Sequence, residues 1–120
     1  PPHSVATILA SVKFLQQDGL QAIEKMKLNI DFFNSEVKHR SLEAYFIPGN
    51  SAIHSCLIPG NKRVKRAAAC LQKEGFDVKP ILSPTVPEGR ERLRFCLHSF
   101  NTQAEIEKAL SLVQIVLNEA

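Results

Sequence analysis

The sequence predicts an α/β chain of the α+β kind, a two-layer sandwich in which helices cover a small, largely antiparallel sheet of about three strands, in the order ααβαββα. Three observations lead there. Several segments carry apolar residues at three- and four-residue spacing, the mark of a helix with one buried stripe. Residues Glu91 to His98 alternate in polarity, as a half-buried strand does. Gly and Pro clusters separate these segments, and the last two strands follow one another directly in sequence.

Ser4 can cap a first helix whose stripe is Val5, Ile8, Leu9, Val12 and Leu15, with Gly19 as its stop. A second, longer helix puts Leu20, Ile23, Met26, Ile30, Phe33 and Val37 on one face and runs to about Ser41. Ile47-Pro48-Gly49-Asn50 is a turn by composition. Ser51 to Ile58 reads as a strand of mixed polarity, stopped by Pro59 and Gly60. Asn61 can cap a third helix that turns Val64, Ala67, Ala68 and Leu71 inward and Lys62, Arg63, Lys65 and Arg66 mostly outward, with Gly75 at its end. Phe76 to Leu82 and Glu91 to His98 are strands. Thr102 and Glu105 have capping-box spacing and open a last helix with Ile106, Leu110, Val113 and Leu117 on its inner face.

A length of 120 residues makes residues 1–120 one domain, and a hydrophobic content of 44% supplies an ordinary core. The net charge of +3 permits an anionic partner without requiring nucleic acid. With one Tyr and no Trp, the chain has few platforms on which a single strand could stack. Cys56, Cys70 and Cys96 are widely spaced, and His3, His39, His54 and His98 show no ligand spacing. Neither a disulfide framework nor a metal site is therefore expected, and a reducing, cytoplasmic setting fits best. No run approaches a transmembrane length and no signal-peptide pattern is visible. The opening Pro1-Pro2-His3, without Met, gives the expectation of a piece of a longer polypeptide.

The stretch from Lys79 to Phe100 is the richest in chemistry. Pro84 and Pro87 bracket Thr85, which is thereby presented on a stiff, non-helical turn. On the following strand Leu93, Phe95 and Leu97 point one way, and Arg92, Arg94, Cys96 and His98 the other. Guanidinium groups beside a rigid Thr-bearing turn suit a carboxylate or phosphate, which Arg can grip with two parallel hydrogen bonds. An ordinary solvated sheet face would carry the same pattern. Cys96, between Arg94 and His98, is either a thiol with a lowered pKa or a quiet small hydrophobe. The run Lys62 to Arg66 is a solvated helix face or, with Arg92 and Arg94, part of a basic surface for nucleic acid.

Several of these residues resemble a known family. Gly75-Phe76-Asp77-Val78, Pro84-Thr85-Val86-Pro87 with Gly89, Arg92-Leu93-Arg94, and the helix with Glu105 and Ile106 are similar to the C-terminal small domain of the α-oxoamine synthases. Pro1-Pro2 and Ser51-Ala52-Ile53 fit the same family, so the resemblance spans the chain, and its block from Thr85 to Arg94 is the most specific part. The resemblance implies the small domain of a pyridoxal-phosphate enzyme of the aspartate-aminotransferase fold. Such enzymes join an amino acid to an acyl-CoA with loss of carbon dioxide, the cofactor acting as electron sink. It implies substrate-binding roles for Arg94, as clamp for the amino-acid carboxylate, and for Thr85, at the substrate pocket. No position here matches the family's Schiff-base Lys or the His that stacks on the cofactor. No catalytic or cofactor-binding residue is therefore assigned to this chain, no bound cofactor is expected on it, and it is expected to be inactive alone. The implied partners are the two substrates, the large cofactor-binding domain of the same chain and a second copy in a homodimer, with no nucleic acid and no membrane. Asn101 stands where many members carry His, and His98 where they carry a small or polar residue.

Overall fold

The computed structural model describes residues 2–119, and side chains over 17–119. Its elements are α1 (Pro2–His39), β1 (Ile53–Leu57), α2 (Asn61–Lys73), β2 (Val78–Ile81), β3 (Arg92–Cys96) and α3 (Gln103–Asn118). The expected antiparallel sheet is present, in the order β1-β3-β2, so the last strand in sequence is the central one. Each strand is shorter than the span its pattern predicts, because the ladder ends where the flanking turns begin.

Alternation along the strands divides the sheet into a covered and an open face. His54 and Cys56 of β1, Val78 of β2, and Leu93 and Phe95 of β3 are buried. They meet Val64, Ala67, Ala68 and Leu71 of α2, Ile106, Ala109, Leu110, Val113 and Val116 of α3, and Phe33 and Val37 of α1. Phe33 anchors the centre, with its ring 4.2 Å from His54, 5.6 Å from Phe46 and 5.7 Å from Phe95. All helices lie on this one face, which makes the two layers.

Helix ends explain three differences from the sequence reading. Gly19 does not stop a helix. The predicted first and second helices are one, because a single Gly costs only about 1 kcal/mol and helix-forming residues continue on both sides. The stripe from Val5 to Leu15 lies outside the residues whose side chains are described. Nor is the stripe of the second helix buried throughout. Phe33 and Val37 are in the core and Met26 and Ile30 pack at its edge, but Leu20 and Ile23 are 64% and 66% exposed, since α1 overshoots the sheet. Asn61 does not cap α2. Gly60 is the cap residue, at φ 102°, a backbone conformation that favours Gly. Asn61 instead accepts the Ser83 N–H at 3.1 Å, binding the start of α2 to the Pro-rich turn.

The capping box at α3 forms as predicted, with Thr102 accepting the Glu105 N–H and Glu105 accepting the Thr102 N–H. At the other end of α3 no basic residue occupies the last turn. Arg63 supplies that charge from α2, donating to the carbonyls of Val116, Leu117 and Glu119 at 3.3, 3.0 and 3.3 Å. A cation at a helix C-terminus is favoured by the helix dipole. Thus one of the four cations expected to face solvent holds two helices together.

His54 is 4% exposed, and its Nε2 has no hydrogen-bond partner among the described residues. Burial lowers its pKa from 6.5 to about 4, so the ring is neutral in the folded chain. Between those values the unfolded chain binds the proton and the folded chain does not. Stability from this group is therefore complete above pH 6.5 and lost as pH falls towards 4, by up to about 3 kcal/mol. Urea unfolding at a series of pH values should show this slope, and His54→Leu should flatten it. An unchanged slope in the variant would contradict the assignment.

Candidate functional site

The open face of the sheet carries the polar side chains. Arg94 lies in the middle of β3 and is exposed, with Ser55 of β1 and Lys79 of β2 as its cross-strand partners. Like charges directly opposite one another are unfavourable in a sheet. No carboxylate among the described residues forms a salt bridge with either Arg94 or Lys79. The centre of this face is therefore a pair of cations without a counter-ion. Arg92 is different: it is half-buried, and its Nε donates to the Arg90 carbonyl at 3.1 Å. Of these two, Arg94 is the one whose guanidinium has no hydrogen bond or salt bridge among the described residues.

Thr85 sits in the turn that leaves β2 after Ile81 and rejoins β3 at Arg92, and it is exposed. Local hydrogen bonds stiffen this turn: Val86 N–H to Leu82 O at 3.1 Å and Arg90 N–H to Pro87 O at 2.9 Å. The structure places Thr85 beyond the end of the sheet at which Arg92 lies, with Arg94 two residues further in, and no hydrogen bond joins Thr85 to Arg94.

Glu91 fixes the frame around them. Its parity with Leu93, Phe95 and Leu97 turns it to the covered face, and it is 2% exposed. Its carboxylate accepts the Gly60 N–H at 2.9 Å and the Gly89 N–H at 3.0 and 3.3 Å. It also lies at the N-terminus of α2, where the dipole favours an anion. One side chain so ties together the start of α2, the end of the Thr85 turn and the start of β3. The sequence reading passed over it, although an acid in register with three apolar residues of a strand was visible.

At the far end of the open face the structure brings together side chains that spacing did not group. Asp77 stands beside Cys96, whose N–H donates to the Asp77 carbonyl at 3.0 Å, and His98 Nε2 is 2.8 Å from Asp77 Oδ2. The other cysteines lie elsewhere: Cys56 is buried, which pushes its thiol up to about 12, and Cys70 is exposed on α2. The basic run of α2 is not brought to Arg94. Lys62, Lys65 and Arg66 project from a helix that packs on the covered face of the sheet. No helix among the described residues is long and apolar enough to cross a membrane.

A helix-covered antiparallel sheet with a cationic outer face at the end of a rigid turn can be set beside known proteins. The chain is 33% identical, over its full length, to a protein of Desulforudis audaxviator provisionally named 8-amino-7-oxononanoate synthase. It is 29% identical over 94% of its length to the 8-amino-7-oxononanoate synthase of Xanthomonas axonopodis pv. citri. It spans 30% and 27% of the lengths of these two relatives. Among solved structures, the 8-amino-7-oxononanoate synthase of Francisella tularensis matches 91% of the chain, and the chain 31% of that structure, with a TM-score of 0.69 at 24% identity. A low-resolution structure of SPT matches 78% of the chain, which covers 25% of it, with a TM-score of 0.59 at 23% identity. No protein-family model matches the chain. In sequence the chain is similar to 8-amino-7-oxononanoate synthases, and its fold matches part of one of them, which is consistent with a domain of an α-oxoamine synthase.

The carboxylate of Glu91 is held below the usual carboxylate range, chiefly by the Gly60 N–H, with further help from Ser83 and Gly89. Its contribution to stability is complete above about pH 4.3, the ordinary Glu value, and is lost as pH falls through the lowered folded value. Glu91→Gln turns one acceptor oxygen into a donor that faces glycine N–H groups. The variant should unfold at a lower temperature than the parent, and the Gly60 and Gly89 amides should exchange with solvent faster. Parental melting and exchange would show that the carboxylate does not hold the turn.

Proposed function

We propose that this chain is the C-terminal small domain of a longer α-oxoamine synthase. In that enzyme an amino acid and an acyl-CoA are condensed, a carbon–carbon bond forms, and carbon dioxide and free CoA leave. The names of the relatives support the 8-amino-7-oxononanoate synthase reaction of biotin biosynthesis. The alternative is glycine C-acetyltransferase, also called 2-amino-3-ketobutyrate CoA ligase, which would make the same use of a carboxylate clamp but differs in both the amino acid and the acyl chain, and whose four-carbon product keeps the glycine carboxylate. A homodimer in the cytoplasm is part of the same reading.

The observation that carries the proposal is the unpaired Arg94 on the central strand. Arg94 receives the amino-acid carboxylate with its planar fork. Lys79, directly across the ladder, adds positive potential and keeps the guanidinium from settling on a partner of its own. Thr85 bounds the substrate pocket from the turn that Glu91 fixes. The exposed Leu20 and Ile23 of α1 fit burial against the remainder of the longer chain.

Pyridoxal phosphate would supply the electron sink in the full enzyme. The described residues do not fit a site for it. The Gly60 amide at the start of α2, where a phosphate could dock, is aimed at Glu91, as is the Gly89 amide, and the lysines of α2 and β2 are exposed. The cofactor therefore belongs to the large domain, and this chain's contribution is to bind and orient substrate. A nucleic-acid module is disfavoured by the placement of Arg94 and the α2 cations on opposite faces of the sheet.

In the full-length enzyme Arg94→Ala removes one half of a charge-assisted pair. It should lower kcat/KM for the amino acid by roughly 10- to 100-fold, the equivalent of about 1.5–3 kcal/mol. Arg92→Ala, which removes a side chain already bonded to the Arg90 carbonyl, should change it several-fold at most. Steady-state kinetics with the amino acid varied at saturating acyl-CoA checks this, and equal small effects from both substitutions would sink the assignment.

A further inference from the structure

We propose that Asp77, Cys96 and His98 form a binding site for a zinc-type transition-metal ion on the open face of the sheet. One carboxylate oxygen, one thiol sulfur and one imidazole nitrogen lie within 4.8 Å of one another, with His98 Nε2 and Asp77 Oδ2 2.8 Å apart. Zinc takes these three donor types at about 2.0–2.3 Å, which sets tetrahedral ligand atoms roughly 3.3–3.7 Å apart. Small side-chain rotations convert the present spacing to that geometry.

The fold prepares the set. Cys96 and His98 are two residues apart and so share a face, and Asp77 reaches that face from the edge of β2. His98 is held at its backbone: Asn29 Nδ2 donates to its carbonyl at 2.9 Å, and its N–H donates to Asn101 Oδ1 at 2.7 Å. Asn29 is itself 1% exposed, so this brace comes from the core. Phe100 stacks on the His98 ring at 4.8 Å and 7°, which fixes the plane of the imidazole. Orienting contacts of this kind around a ligand are what give metal sites their affinity.

Charge and softness select the ion. A divalent cation with one thiolate and one carboxylate is neutral overall, so the filled site carries no net charge of its own beside Arg94 and Lys79. A thiolate with an imidazole favours zinc, cobalt or copper over magnesium or calcium. Asp77 is exposed and Cys96 and His98 half-buried, which leaves the fourth position open to water or to a further ligand. The site is separate from the proposed carboxylate clamp, and its test does not depend on catalysis.

Titration of the chain with Co2+ under reducing conditions should give one saturable equivalent with thiolate-to-cobalt charge-transfer absorption and the intense visible bands of a four-coordinate ion. Zn2+ should bleach both. Cys96→Ser should abolish the charge-transfer band, and Asp77→Asn and His98→Gln should each weaken binding by roughly tenfold or more. Cys70→Ser should change nothing. Zn2+ should also protect Cys96, but not Cys70, from alkylation in the parent chain, a readout that survives if a variant fails to fold. Absence of a saturable band, a band that persists in Cys96→Ser or disappears in Cys70→Ser, or equal alkylation of Cys96 with and without Zn2+ would overturn the proposal.

Discussion

Glu91 accepts hydrogen bonds from Gly60 and Gly89 at the covered edge of the sheet, and the geometry of the open face follows from that contact. The two amides come from segments far apart in sequence, the entry to α2 and the end of the Thr85 turn. Both are drawn to the residue that begins β3. Asn61 adds a second tie, from the first turn of α2 to Ser83. The central strand, its incoming turn and the helix beneath it are thus one unit. A buried carboxylate is costly unless its oxygens are satisfied, so the Gly60 and Gly89 amides are what allow Glu91 to be buried here.

The two faces of the sheet obey opposite rules. Apart from Glu91, whose charge is met by amide N–H groups, the covered face keeps its titratable groups uncharged: His54 is neutral and Cys56 is inert as a thiol. The open face tolerates Arg94 across from Lys79, an arrangement that opposes folding. Unfavourable placements of this kind persist where function supplies the compensation, and in the function proposed above that is an anion from outside the chain. In the proposed longer enzyme, the exposed Leu20 and Ile23 of α1 and the open face would both be covered by the rest of that chain.

Much of this was legible in the sequence. The alternation of β3, the stripe of α2 and the capping box of Thr102 and Glu105 are local patterns, and local physics decides them. Spacing and turn chemistry point to Arg92, Arg94 and the turn bearing Thr85, while the choice of Arg94 over Arg92 rests on the family resemblance. What was missed needed long-range information. Lys79 and Asp77 join the site only through the register of β2 on β3, which no single-strand pattern encodes. Asn61 is a good cap residue by type, yet Ser83 competed for its side chain and Gly60 took the cap position. Gly19 shows the reverse, a local stop signal outweighed by the helix on either side. Glu91 carried a readable signal in its parity, but its partners could not be named without the turn and helix that surround it.

The central claim is that Arg94 is the carboxylate-binding group of a longer enzyme. A crystal structure of the full-length protein with its amino acid bound tests it most directly. The account predicts the substrate carboxylate paired with the Arg94 guanidinium at about 2.7–2.9 Å, through two parallel hydrogen bonds, with Thr85 lining the same pocket and the Glu91 contacts to Gly60 and Gly89 unchanged. A carboxylate held by residues outside this domain, with Arg94 turned to solvent, would contradict it.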